Sequence, residues 1–274
     1  MTMLRLLPKL MLLTSGWILI WFRYSGSLAD ASAAITAMVA LPLAIWLGIP
    51  WRFQKQARST SLVWPILAVA LFIVGWLSHH PLLLASSWTL FTGLTLSQHL
   101  LAQDWQQRIG LLPLGLLSLP WLGEDVSWLS AAFRSSGAWV TEHCFALLGF
   151  EVVRAGTRLM VEGQEISVEP ACAGMHSLHA TLVAGAAFGW LRLRADTRHL
   201  ALWLLALPAI AWLTNTLRII TISVLGLQTS PEMVAGTTHE MIGWSLVLLV
   251  FGLCSTMLEW LPHQFPRSSI SSRT

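Results

Sequence analysis

Eight long apolar runs leave this chain little choice but to fold as a bundle of membrane-spanning helices. Crossing ~30 Å of hydrocarbon takes about 20 mostly apolar residues at ~1.5 Å per residue. Inside that layer every backbone polar group must be paired within the helix. The runs cover roughly 6–22, 31–50, 61–78, 81–102, 109–122, 172–191, 199–225 and 239–261. The fifth is the shortest and carries Pro113 and Pro120, so a short or re-entrant span is the alternative there. Composition agrees: 11% of residues are charged and 55% hydrophobic, where soluble domains carry roughly 25% charged. Sixteen Trp against one Tyr suit aromatic anchoring at the interface. Arg5 and Lys9 before the first run imitate a secretory leader, but a small-x-small cleavage site is not convincing and many more spans follow, so this segment reads as a retained first helix.

Charge fixes the expected orientation through the positive-inside rule. With the N-terminus inside, the inner side holds Arg5, Lys9, Arg52, Lys55, Arg58, Arg108, Arg192, Arg194, Arg198, Arg267 and Arg273, eleven of the 16 basic residues. Arg23, Arg134, Arg154, Arg158 and Arg218 lie outside. Both termini are thus expected in the cytoplasm. The net charge of +3 does not indicate nucleic acid, because basic residues in membrane-flanking loops account for it.

The expected fold class is an all-α polytopic membrane protein with a small outer-face addition. Residues 1–122 would form about five spans, 123–171 an extramembrane segment, 172–262 three further spans and 263–274 a disordered cytoplasmic tail. Within the outer segment, Val126, Leu129, Phe133, Val140 and Leu147 recur at helical spacing over 126–148, which predicts an amphipathic helix on the outer leaflet. Residues 157–168 alternate around Glu162-Gly163 and predict a β-hairpin.

Cys172, Arg218 and His239 each fall within a few residues of the end of a predicted span, all on the outer side. Cys172 follows Pro170 at a predicted helix N-terminus, where the dipole favours a thiolate. Arg218 interrupts an apolar run, at a cost of at least ~2.5–3.5 kcal/mol unless it has a partner or a task. Asn215 stands one turn earlier on roughly the same face, placed to hold the guanidinium or orient a carbonyl. His239 opens the last span and is the usual proton carrier near neutral pH. Taken singly, each has a plain reading: an inert buried thiol, a snorkelling arginine, an interfacial histidine. Together they supply a nucleophile, an oxyanion donor and an acid/base. His176, one turn from Cys172, is the second candidate for the base.

Two other readings compete. Cys172, His176 and His179 share a helix face at i, i+4 and i+7 and form a possible zinc set, although that face offers no carboxylate base. A small-solute transporter would need a polar path across the whole bilayer, and the polar groups gather on one side. Among the three cysteines, a Cys144–Cys172 disulfide is open outside the membrane, while Cys254 belongs in the hydrocarbon. No nucleotide-binding or haem motif is present, and no cofactor is expected.

Ala171-Cys172-Ala173-Gly174, Asn215-x-x-Arg218, and His239 followed by Gly243 resemble the ordered motifs of the exosortase/archaeosortase membrane transpeptidases over about residues 157–260. The resemblance implies a cysteine enzyme in a bacterial inner membrane, its site facing the periplasm. Its substrates would be exported proteins with a C-terminal sorting tail: a short motif such as Pro-Glu-Pro, a transmembrane helix and a basic end. It implies Cys172 as nucleophile, Arg218 as oxyanion stabiliser and His239 as proton carrier. A thioester would pass to a polysaccharide or lipid acceptor, or to water. Ala173 departs from the family, many of whose members carry serine after the cysteine, and this leaves the exact sorting motif open.

Overall fold

The structure is a computed structural model describing residues 2–24, 31–54, 56–122, 127–167, 175–194, 196–229 and 237–264. In order, the elements are α1 (Thr2–Tyr24), α2 (Ala31–Leu47), α3 (Val63–Leu77), α4 (Pro81–His99), α5 (Ala102–Arg108), a 3-10 turn (Ile109–Leu111) and α6 (Leu112–Leu117). There follow α7 (Ser127–Leu147), strands β1 (Val152–Ala155), β2 (Arg158–Val161) and β3 (Gln164–Ser167), then α8 (Met175–Leu193), α9 (Thr197–Gln228) and α10 (Thr237–Gln264). The chain forms two compact units, one of residues 1–136 and 169–212, the other of 137–168 and 213–274.

Two helical stretches, Leu6–Tyr24 and Thr197–Gln228, are long and apolar enough to cross a membrane among the described residues. Shorter apolar helices cover Ala34–Leu47, Val63–Leu77, Leu178–Leu193 and Met241–Thr256. Large apolar side chains point outward from many of them, including Phe22, Leu77, Leu205 and Leu248. Such outward faces are tolerated where the solvent is hydrocarbon rather than water.

In the first unit small residues and indole N–H groups set the packing. Gly75 lets α4 approach α3, since a Cβ there would lie 2.9 Å from Leu83 Cβ. Ser87 Oγ donates to the Ala68 carbonyl at 2.7 Å across the same pair. Trp21 Nε1 and Trp88 Nε1 donate to the carbonyls of Ser118 and Leu13, both at 2.8 Å, binding α1 to the end of α6 and to α4. Gly185 and Gly189 form a small-xxx-small seam on α8: a Cβ on them would collide with Leu207 and Trp203 of α9. Trp203 Nε1 closes that seam on the Gly185 carbonyl at 2.8 Å.

The fifth run takes a short form. Residues 109–122 form a 3-10 turn and then the six-residue α6, which covers only ~9 Å. Pro113 sits at the start of α6, and Ser118 ends it by donating its hydroxyl back to the Gly115 carbonyl at 2.7 Å. Leu114, Leu117 and Leu119 are buried, so the segment is a short plug packed on α2, α4 and α8. An apolar groove of about 610 Å³ lies among α1, α2, α4 and α6, lined by residues such as Trp17, Met38, Trp88 and Gly115. None of the candidate site residues lines it.

In the second unit the predicted hairpin is present, with Met160 opposite Glu165 and a turn at Glu162-Gly163. It belongs to a three-stranded antiparallel sheet, one strand more than the expected hairpin: β1 pairs Val153 with Met160. The alternation buries Leu159 and Val161 against Phe145 of α7 and Val224 and Leu227 of α9. Arg154 Nε meets Glu142 Oε2 at 2.7 Å and pins the sheet to α7. Gly137 admits Ile219 to the α7–α9 contact: a Cβ there would lie 2.7 Å from Ile219 Cδ1.

Candidate active site

Arg218 is half-buried on α9 in the second unit, and α10 is shaped to receive it. A Cβ added at Gly243 would lie 3.1 Å from both Cζ and Nε of Arg218, so the guanidinium rests on bare helix backbone. Gly243, Val247 and Val250 form the buried stripe of α10 at i, i+4 and i+7. His239 is the third residue of α10 and stands one turn before Gly243 on the same face. Two of the three motif positions thus occupy facing surfaces of adjacent helices. The His239 side chain lies outside the described residues.

Asn215 precedes Arg218 by one turn and is only 1% exposed. Neither Oδ1 nor Nδ2 has a hydrogen-bond partner among the described residues. A buried amide left unpaired costs about 1–3 kcal/mol. Its donor and acceptor match those of a peptide bond. Thr214 and Thr216 beside it are also buried.

Cys172 lies outside the described residues. His176 is the second residue of α8, its side chain likewise outside them. His179 on the same helix is 1% exposed and donates Nε2–H to the Leu117 carbonyl at 2.9 Å. That bond commits one ring nitrogen to holding α8 against α6, in keeping with a packing role. Among the described residues no cluster of His, Cys, Asp or Glu has the form of a metal site. Cys144 and Cys254 are free thiols.

The seat of Arg218 gives the Gly243 motif a physical reason that spacing alone does not. The comparison with protein-family models then places the whole chain: the transmembrane exosortase model (Exosortase_EpsH) matches residues 10–258. The chain belongs to the transmembrane exosortase family. The match reaches back through the N-terminal helices, well before the motifs that carried the resemblance, so those helices are part of the family architecture. Exosortases are membrane enzymes of the transpeptidase and cysteine-protease kind. Neither the curated proteins nor the solved structures give a match. Sequence reasoning missed the orphaned Thr181 hydroxyl, which is buried on α8 with no partner among the described residues; an isolated threonine in an apolar run gives no signal of this.

Proposed function

We propose that this chain cleaves the C-terminal sorting tail of exported membrane-anchored proteins by cysteine chemistry, and that Cys172, Arg218 and His239 carry the reaction. The supporting observation is the seat of Arg218 on Gly243, one turn from His239. A fixed guanidinium beside an acid/base is what a tetrahedral intermediate in acyl transfer needs. The Cys172 thiolate attacks the scissile carbonyl and a C–S bond forms. The oxyanion is held by Arg218. Collapse breaks the C–N bond, and His239 gives its proton to the departing amine. The thioester then passes to a polysaccharide or lipid amine or hydroxyl, or to water, with His239 taking the attacking group's proton. Asn215 holds a peptide group of the substrate, and His176 supports the thiol. The reading includes about eight passes, the fifth (109–122) short or re-entrant, cytoplasmic termini and a periplasmic site in a bacterial inner membrane.

Hydroxylamine tests the thioester. Membranes carrying the enzyme are given an exported reporter that ends in Pro-Glu-Pro, an apolar helix and a basic tail. The expected product at neutral pH is the reporter hydroxamate, absent with Cys172→Ala. A cleaved reporter with no hydroxamate under any hydroxylamine concentration excludes the acyl-enzyme.

A further inference from the structure

The free edge of the sheet faces outward with a defined pattern of hydrogen-bonding groups. The strand order β1-β2-β3 leaves β3 with one partner, and among the described residues nothing pairs with its other side. Val161 and Gln164 close a two-residue turn in which Glu162 (φ 51°) and Gly163 (φ 77°) are both left-handed. That is a type I′ hairpin, whose closing pair is hydrogen-bonded, and the ladder alternates from there. Gln164 and Ile166 therefore spend their N–H and C=O groups on β2. Glu165 and Ser167 turn theirs to the open edge. The β1–β2 hairpin, closed by Ala155 and Arg158, has the same phase on β2.

Edges of this kind are usually short, charged or covered, because an open row of amides recruits another strand. This one is fixed rather than loose. Leu159 and Val161 anchor the sheet on α9, the helix that carries Arg218. Cys172 follows Ser167 by five positions, so chain length alone keeps it within about 18 Å of the strand end.

We infer that the outer edge of β3 binds the substrate as an added strand, pairing with an extended peptide segment beside the scissile bond. The inference rests on the peptide-cleaving reading above. Strand addition takes its affinity from main-chain bonds and leaves side chains free to vary. That suits an enzyme acting on many proteins through one short extended segment.

The edge can be altered one amide at a time. Glu165→Pro and Ser167→Pro each remove an outward N–H and leave the β2 ladder whole, and edge strands accept proline there. Glu165→Ala removes the side chain and keeps the amide. With the tailed reporter, both proline variants are expected to process at least tenfold more slowly than the parent, and Glu165→Ala at least fivefold faster than Glu165→Pro. A second measurement does not depend on proline being tolerated. In a Cys172→Ala background, Glu165→Cys is paired with single cysteines placed successively along the reporter before its apolar helix. Disulfides are expected at alternate positions. Proline variants within twofold of the parent, an alanine variant as slow as Glu165→Pro, or cross-links without alternation would overturn the inference. Processing that survives Cys172→Ala overturns the cysteine reading instead, and a parent that leaves the reporter whole overturns both.

Discussion

Gly243 makes the sharpest residue-level test, because its substitution acts on Arg218 without touching the charge. A methyl group there meets the guanidinium at 3.1 Å, tighter than ordinary contact, so Arg218 must shift by a few tenths of an ångström. Misplacing a catalytic group by about 1 Å can cost on the order of a hundredfold. Gly243→Ala is expected to process the reporter at least tenfold more slowly at unchanged membrane abundance. Arg218→Lys is expected to fail more completely, since an ammonium lacks the planar fork that holds an oxyanion. Asn215 separates function from stability. Its amide is buried and unpaired, so Asn215→Leu removes an unsatisfied group and is expected to melt no lower than the parent in detergent while losing most processing. A melting point lowered together with activity would make Asn215 a structural residue.

At the scale of elements, patterns with a strict period were legible and local breaks only in part. The Glu162-Gly163 turn with alternation on either side announced β2 and β3. Strand β1 was not visible, since Val152-Val153-Arg154-Ala155 shows no alternation and owes its place to β2 and to the Arg154–Glu142 pair. The 126–148 periodicity gave α7 to within a residue at either end. Over 109–122 Pro113 announced a short element, while the stop at Ser118 gave no signal within the apolar run. The start of α9 makes a prediction of its own. Asp196 accepts the backbone N–H groups of Arg198 and His199 and caps the helix. The His199 imidazole, foremost, and those two N–H groups hold its carboxyl below the usual carboxylate range. A lowered carboxyl stabilises the fold above its unfolded value and loses that contribution as pH falls through the folded value, so the cap weakens below about pH 4. Asp196→Ala is expected to lower stability at pH 7 by about 0.5–2 kcal/mol, and its melting temperature should vary less with pH across that acid window.

For the whole molecule, the sequence made the membrane class and the order of the motif residues plain, because lipid demands long apolar runs and makes every charge among them conspicuous. It did not show what seats Arg218, since glycine 25 residues further on gains meaning only when α10 lies against α9. The topology has a direct check. Cys172 is expected to react with a membrane-impermeant maleimide applied from the outer side without prior reduction, while Cys254 stays unlabelled; labelling only after a reductant would reveal a disulfide to Cys144. The central claim is that one of three thiols does the chemistry. Cys172→Ala, Cys144→Ala and Cys254→Ala are each expressed with the tailed reporter, and reporter size is read on a gel. The account predicts that Cys172→Ala alone leaves the reporter full length. Normal processing by Cys172→Ala would contradict it.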